Sequence, residues 1–70
     1  MGKLNFLFAV AQEFKKKYGY NNTSAYIMAL HSPLASIYVR DPILVSSTSY
    51  KEWAEYLYDW CLREGLIENK

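Results

Sequence analysis

The first apolar residues of the chain recur at helical spacing. The residues at intervals of three and four are Leu4, Leu7, Ala11, Phe14 and Tyr18. This spacing places them on one face of a helix, which the pattern predicts over residues 3–18. Gly19 follows directly and suits the left-handed backbone that ends many helices, since glycine has no Cβ to oppose it.

The first half of this predicted helix is apolar over more than one stripe. Phe6 and Val10 lie on one flank of the stripe, and Phe8 lies on the other. With about 3.6 residues per turn, the apolar arc spans about 200° of the helix surface. We expect that one neighbour cannot cover this arc, so these three residues are candidates for an interface with another protein.

A second, short helix is predicted where six apolar residues stand in a row, over 25–30. Such a run is typical of a segment buried on all sides, and its Ala, Met and Leu residues favour helix over strand. Asn21 and Asn22 suit the turn before it. Thr23 or Ser24 is the predicted N-cap.

The middle of the chain carries mixed signals. Ser32 before Pro33 is a typical helix start. Triplets of β-favouring residues follow at 37–39 and 43–45. We predict a third short helix followed by an extended segment, and the alternative is a small hairpin at about 36–46.

The last helix is predicted over residues 50–64. Ser49 followed three residues later by Glu52 has the pattern of a capping box, and Gly65 suits the end. The apolar stripe of this helix, which we expect to pack on the first, consists of Tyr50, Ala54, Leu57 and Cys61. Trp53 and Trp60 flank it, and the pattern leaves open whether they lie in the core or at an interface.

Together these elements predict an all-α fold: a compact bundle of three to four helices in a single domain over 1–70. The long first and last helices pack around the short apolar middle segment; the alternative with a hairpin is an α+β fold. Hydrophobic residues make up 51% of the 70 residues, and aromatic residues 17%. This composition excludes a disordered chain, which needs low hydrophobicity and high net charge.

No targeting signal is predicted. Residues 1–11 have the order of a signal peptide, with Lys3 before an apolar run and small residues after it, but signal peptides run to about 15–30 residues. No stretch reaches the roughly 20 apolar residues of a membrane span. We therefore expect a cytoplasmic location and no membrane partner.

Catalytic chemistry is not predicted either. The chain has one Cys and one His, which cannot form a zinc site by themselves. Cys61 falls on an apolar stripe, where a free thiol behaves as a small hydrophobic group, and His31 lies at a helix end. We expect no metal, no cofactor and no enzyme activity, and a Cys61–His31 enzyme is the weakest hypothesis.

Nucleic-acid binding is the second hypothesis for function. The residues that favour it are basic and aromatic: Lys15, Lys16, Lys17, Tyr18, Tyr20 and Arg40. Aromatic rings beside a basic groove suit single strands. However, three consecutive lysines fan over about 200° of a helix, and the net charge of the chain is only +1.

Protein binding is the favoured function. Residues 1–48 hold five Lys/Arg against two Asp/Glu, whereas residues 49–70 hold three against five. This uneven charge can orient a partner. Tyr38 and Tyr56 join the candidate interface residues, because tyrosine is enriched at interfaces and both lie near loops or polar faces. We predict a non-catalytic adaptor, inhibitor or regulator that buries an apolar patch against a partner or a second copy.

Overall fold

Five α-helices follow one another along residues 2–67, the part of the chain that the computed structural model describes. The helices are α1 (Lys3–Tyr18), α2 (Asn22–His31), α3 (Leu34–Arg40), α4 (Pro42–Ser47) and α5 (Tyr50–Arg63). The all-α prediction is confirmed. These residues contain no strand, so the hairpin alternative at 36–46 is wrong.

The turn between α1 and α2 is fixed by backbone and side-chain caps. Gly19 adopts a φ of 79°, and its N–H donates to the Lys15 carbonyl at 2.9 Å, which closes α1 where predicted. The Asn21 side chain accepts a hydrogen bond from the Ser24 N–H at 2.8 Å. Asn21 is therefore the N-cap of α2, and the prediction of Thr23 or Ser24 in that role is wrong.

The extended segment predicted after the third helix is a helix instead. Pro42 is the first residue of α4, where its missing N–H leaves no hydrogen bond unmade. Asp41 separates α3 from α4, and its side chain accepts a hydrogen bond from the Leu44 N–H at 3.2 Å. This cap outweighs the β preference of the residues at 43–45, which gives five helices rather than three or four.

Both ends of α5 follow the predicted signals. The Ser49 hydroxyl accepts from the Glu52 N–H at 3.2 Å, and the Glu52 carboxylate accepts from the Ser49 N–H at 3.1 Å, which completes the capping box. Gly65 has a φ of 73° just after the helix. The Leu66 N–H then donates to the Cys61 carbonyl at 2.9 Å, as in a Schellman motif.

One hydrophobic core joins α1, α2, α3 and α5. Its fully buried members are Phe6, Leu7, Val10, Ala11, Phe14, Ala25, Ala29, Leu34, Trp53, Ala54, Leu57 and Cys61. The prediction that α1 and α5 pack together is confirmed, and Trp53 lies in this core whereas Trp60 is only partly buried.

Within residues 2–67, no helix is both long and apolar enough to cross a bilayer.

The buried face of α1 is rotated relative to the predicted one. Phe6 and Val10, which we expected at an interface, are buried, whereas Leu4 of the predicted stripe is exposed. The reason is that α1 has neighbours on more than one side, because α2, α3 and α5 all pack against it. The expectation that the wide apolar arc cannot be covered within the chain is thus wrong for Phe6 and Val10.

Candidate protein-binding surface

The seam between α1 and α2 has a regular register. The Gln12 Nε2 donates to the Asn22 Oδ1 at 2.7 Å, and the rings of Phe8 and Tyr26 meet with centroids 6.0 Å apart. In each pair the two residue numbers add up to 34. A constant sum is what antiparallel helices produce, because each step of one turn back along α1 is one turn forward along α2.

The next pair in this register consists of Leu4 and Leu30. Both are strongly exposed, at 57% and 41%, and Phe8 between them is exposed at 50%. We call Leu4, Phe8, Tyr26 and Leu30 the seam stripe. In this row Leu4, Phe8 and Leu30 are exposed, whereas Tyr26 is partly buried and also packs against the core.

Small residues at the helix contact explain why the stripe stands outside. The residues that α2 buries against the rest of the bundle are Ala25 and Ala29, both fully buried. Two alanines let α2 approach α1 closely, but they leave no volume for the larger side chains that flank them. Tyr26 and Leu30 therefore lie at the edge of the contact, beside Phe8 and Leu4.

The surroundings of the seam stripe carry positive charge. Residues 14–40 contain no Asp or Glu. Lys15 lies seven residues after Phe8, which is two helical turns, so it continues the line of the stripe on α1. Lys3 and Arg40 line a surface hollow between α1 and α3, away from the stripe, because Lys3 lies five residues from Phe8 and so about 140° around the helix. None of these three cations forms an ion pair with another residue of the described range.

A second apolar patch lies on α3 and α4. Ile43 is the most exposed large apolar residue in the described range, at 78%, and Val39 and Leu44 are exposed as well. The α4 helix buries none of its residues. We call Val39, Ile43 and Leu44 the α4 patch.

A groove of about 630 Å³ separates α2 from the end of α5. Apolar side chains form much of its lining, among them Ile27, Met28 and Trp60, and His31 and Glu64 also contribute. Its volume falls in the range of small-molecule pockets, but the groove is open along one side. It adds apolar surface to a different face of α2 from the seam stripe.

The predicted interface residues separate into two groups. Phe6, Tyr38 and Tyr56 gather around Trp53, since the Phe6 ring lies 5.3 Å from Tyr38 and 5.9 Å from Trp53, and Tyr56 lies 5.7 Å from Trp53. Tyr38 and Tyr56 remain partly exposed. Of the predicted interface residues, only Phe8 belongs to the seam stripe.

Sequence reasoning missed the exposure of Leu4 and Leu30 and the contact of Tyr26 with Phe8. The i, i+4 pairs Leu4/Phe8 and Tyr26/Leu30 are visible in the sequence. That spacing is the same for a core-facing and a solvent-facing stripe, so it could not locate them. The register of the α1–α2 pair is the missing information, and it needs three dimensions.

The residues of the nucleic-acid hypothesis are largely engaged within the chain. Lys16 lies 3.8 Å from the Glu13 carboxylate, and Lys17 donates to Glu55 at 2.7 Å, a hydrogen bond that raises the pKa of the Lys17 ammonium. Tyr18 stacks on Tyr58 at 3.9 Å, and burial raises the pKa of its phenol.

Of the remaining three residues, Lys15 forms no ion pair in the described range, and Tyr20 and Arg40 do not extend a basic groove. The Tyr20 ring stacks on Phe14 with centroids 5.1 Å apart. Arg40 lies with Lys3 at the opposite end of α1 from the lysine run, about 18 Å away along the helix axis. The fold therefore separates Arg40 from the other residues of the set, whereas Lys17 lies 5.9 Å from the centroid of the Tyr18 ring.

Cys61 has the environment of a core residue. Its thiol is buried and donates to the Met28 sulfur at 3.5 Å. Burial raises the pKa of the Cys61 thiol to about 11, so the thiol is protonated at neutral pH and weakly nucleophilic.

His31 is exposed at the end of α2. Within residues 2–67, no group of three or more His, Cys, Asp or Glu side chains is placed to hold a metal ion.

The chain matches no protein-family model, no curated protein and no solved structure. Its surface is therefore the basis for a functional hypothesis.

Proposed function

We propose that this chain is a non-catalytic protein-binding module that acts by burying the seam stripe against a partner protein. The observation that carries the proposal is the exposure of Leu4, Phe8 and Leu30 along one seam, with Tyr26 partly buried between them. Contiguous apolar surface of this kind marks interaction sites in small domains. An adaptor, inhibitor or regulator of a larger protein is the class of function that such a surface serves.

The core supports the proposal because it is complete without the stripe. Twelve buried apolar residues fill the space between α1, α2, α3 and α5, and of the stripe only Tyr26 packs against them. One turn further along, the seam pair is polar, since Gln12 donates to Asn22. The exposed apolar residues at the preceding pairs support a surface that a partner covers.

The size of the stripe favours a segment over a broad globular face. Finishing the burial of a half-exposed Leu or Phe contributes about 1 kcal/mol, so Leu4, Phe8 and Leu30 together supply about 3 kcal/mol before the costs of association. The partner's own apolar groups add to this. A reversible complex is the expected result, in keeping with an adaptor or regulator.

The experiment compares affinity capture by four forms of the tagged chain: wild type, Phe8→Glu, Leu30→Glu and Ile43→Glu. Ile43 is a matched control because it is an exposed apolar residue on a different surface, the α4 patch. We expect proteins retained by the wild type and by Ile43→Glu to be lost from the two stripe variants. Far-UV circular dichroism and urea denaturation establish that all four are folded.

Two results would contradict the proposal. One is equal capture of the same proteins by all four forms. The other is loss of capture with Ile43→Glu alone, which would move the binding surface to the α4 patch.

A further inference from the structure

We infer that the groove between α2 and the end of α5 is a self-association site, and that its occupant is the α2 helix of a second copy of this chain. Each copy places its own α2 in the groove of the other, which gives a dimer with two-fold symmetry. The groove lies on a different face of α2 from the seam stripe, so this inference goes beyond the proposed function.

The composition of α2 is that of a helix with apolar neighbours on every side. The residues at 25–30 are all apolar, yet the helix buries only Ala25 and Ala29. Ile27 lies two residues from each alanine, so it is about 160° around the helix from both, and it is 47% exposed. A helix that is apolar all round is typical of one that is buried all round. The outermost face of α2 is therefore the part of this helix that lacks a neighbour.

The groove fits a helix of this size. Its α2 wall runs from Ser24 to His31, which is about 10 Å, and Tyr20 extends the lining beyond the start of the helix. Trp60 and Ile67 belong to the opposite wall. The α2 helix has ten residues and is about 15 Å long. An apolar helix in an apolar groove is a common mode of helix recognition.

The two walls of the groove run in opposite directions. The α1–α2 register is antiparallel. The α1 and α5 helices run in the same direction, since Phe6 meets Trp53 near the start of both and Tyr18 meets Tyr58 further along. The α2 and α5 helices are therefore antiparallel to each other.

This direction places the two ionisable side chains of the groove at its opposite ends. The Cys61 thiol donates to the Met28 sulfur, which fixes the level of one helix against the other. His31 lies three residues after Met28 and Glu64 three residues after Cys61, so each is about 4.5 Å from that contact, in opposite directions. Neither residue forms an ion pair with another residue of the described range.

A two-fold axis across the middle of the groove makes these ends complementary. It sets the two α2 helices antiparallel, with Ile27 of each copy near the axis and His31 of each copy at the level of Glu64 of the other. An imidazole N–H can donate to a carboxylate. Residues 19–30 contain no Lys, Arg, Asp or Glu, so the two α2 helices meet without repulsion between like charges.

Sedimentation velocity of the full chain over a concentration series tests the dimer. We expect the wild type to reach twice the 8.2 kDa of one chain, and Ile27→Glu to stay monomeric because it brings two carboxylates together at the axis. Phe8→Glu and Ile43→Glu are the matched controls, since both replace exposed apolar residues outside the groove, and both should keep the dimer. Far-UV circular dichroism establishes that the variants are folded.

Two further variants test the geometry. Ile27→Cys places two thiols near the axis, so oxidised glutathione should link two chains through a disulfide, whereas Ile43→Cys should stay monomeric under the same treatment. Cys61 is buried and present in both variants. His31→Glu is expected to raise the dissociation constant of the dimer about fivefold, and adding Glu64→Lys to restore it.

Three results would overturn the inference. One is a wild type that stays monomeric at every concentration, including a monomer whose groove takes up an apolar dye, which would assign the groove to a small ligand. Another is a dimer that survives Ile27→Glu. The third is a dimer that Phe8→Glu dissociates, which would place the second copy on the seam stripe. The capture experiment judges the seam stripe separately, because its variants lie outside the groove.

Discussion

Phe6 and Phe8 are two residues apart on the same helix and have opposite surroundings. Phe6 is 4% exposed and has the rings of Tyr38, Tyr50 and Trp53 around it. Phe8 is 50% exposed and has one ring partner, Tyr26. The two flanks of α1 are equally apolar in sequence. The flanks differ in the size of the side chains that the neighbouring helices pack against them.

The α5 and α3 helices surround Phe6 with three rings, whereas α2 buries two alanines and brings one ring, that of Tyr26, to Phe8. The rings of Trp53 on α5 and Tyr38 on α3 both contact Phe6, so this flank is shielded from solvent. On the other flank, Ala25 and Ala29 fill the contact and cannot shield Phe8. The apolar arc of α1 is thus part of the core on one side and exposed on the other.

The largest expected effect is on the covered flank. Phe6→Ala is expected to lower the free energy of unfolding by about 3–5 kcal/mol, because it leaves a cavity among aromatic rings. Phe8→Ala is expected to lower it by less than about 1 kcal/mol, since half of that ring is already in water. Urea denaturation followed by tryptophan fluorescence measures both.

The total stability of 70 residues is only about 4–10 kcal/mol, so Phe6→Ala can leave the chain unfolded. Phe6→Leu keeps most of the volume and is the companion variant, with an expected loss of about 1 kcal/mol. Equal losses for Phe6→Ala and Phe8→Ala would refute the contrast between the two flanks.

A pH dependence follows from Cys61, on the buried face of α5. The pKa of its thiol is raised from 9.0 to about 11 in the folded chain, because burial disfavours the thiolate. The unfolded state therefore loses this proton first, and the stability that is complete below pH 9.0 declines as the pH rises to about 11. At about 1.4 kcal/mol per pKa unit, the loss reaches up to about 3 kcal/mol.

The measurement is the urea midpoint between pH 8 and pH 11, compared with Cys61→Ala. Tyr18 also has a raised pKa, so Tyr18→Phe serves as the control for its contribution over the same range. We expect Cys61→Ala to have the shallower decline with pH. A decline of the same slope in both forms would show that Cys61 is not the group responsible, and that this part of the core is wetter than its burial indicates.

Local signals predicted the helix ends better than they predicted the faces. Gly19, Gly65 and the Ser49 capping box act through neighbouring backbone groups, so the sequence contains all that they need. The α4 helix was missed because its β-favouring residues conceal the Asp41 cap that starts it. Which flank of α1 is covered depends on residues 20–50 positions away, and no periodicity within α1 records that.

The capping box at the N-terminus of α5 positions Tyr50 and Trp53 against Phe6. Removing it is expected to have a smaller effect on stability than Phe6→Ala. Ser49→Ala removes the hydroxyl that accepts from the Glu52 N–H, and the expected loss of stability is about 1 kcal/mol. Ser47→Ala is the control, because the Ser47 hydroxyl bonds only to the exposed Leu44 carbonyl within α4. We expect that variant to differ from the wild type by less than about 0.5 kcal/mol in urea denaturation. Equal effects of the two serines would mean that the capping box does not hold α5 in place.

The smallest expected effect is that of the ion pair between Lys17 and Glu55, which links α1 to α5 at 2.7 Å. Both side chains are about half exposed, so water and salt screen the attraction and ordering two long side chains offsets it. Glu55→Gln should therefore shift the urea midpoint less than Ser49→Ala does, and the shift should vanish in high salt. This variant tests whether the ion pair or the burial of aromatic rings holds α5 against the covered flank of α1. A loss that approached that of Phe6→Ala would mean that charge rather than ring burial closes this flank, and the difference between Phe6 and Phe8 would then lose its explanation in packing.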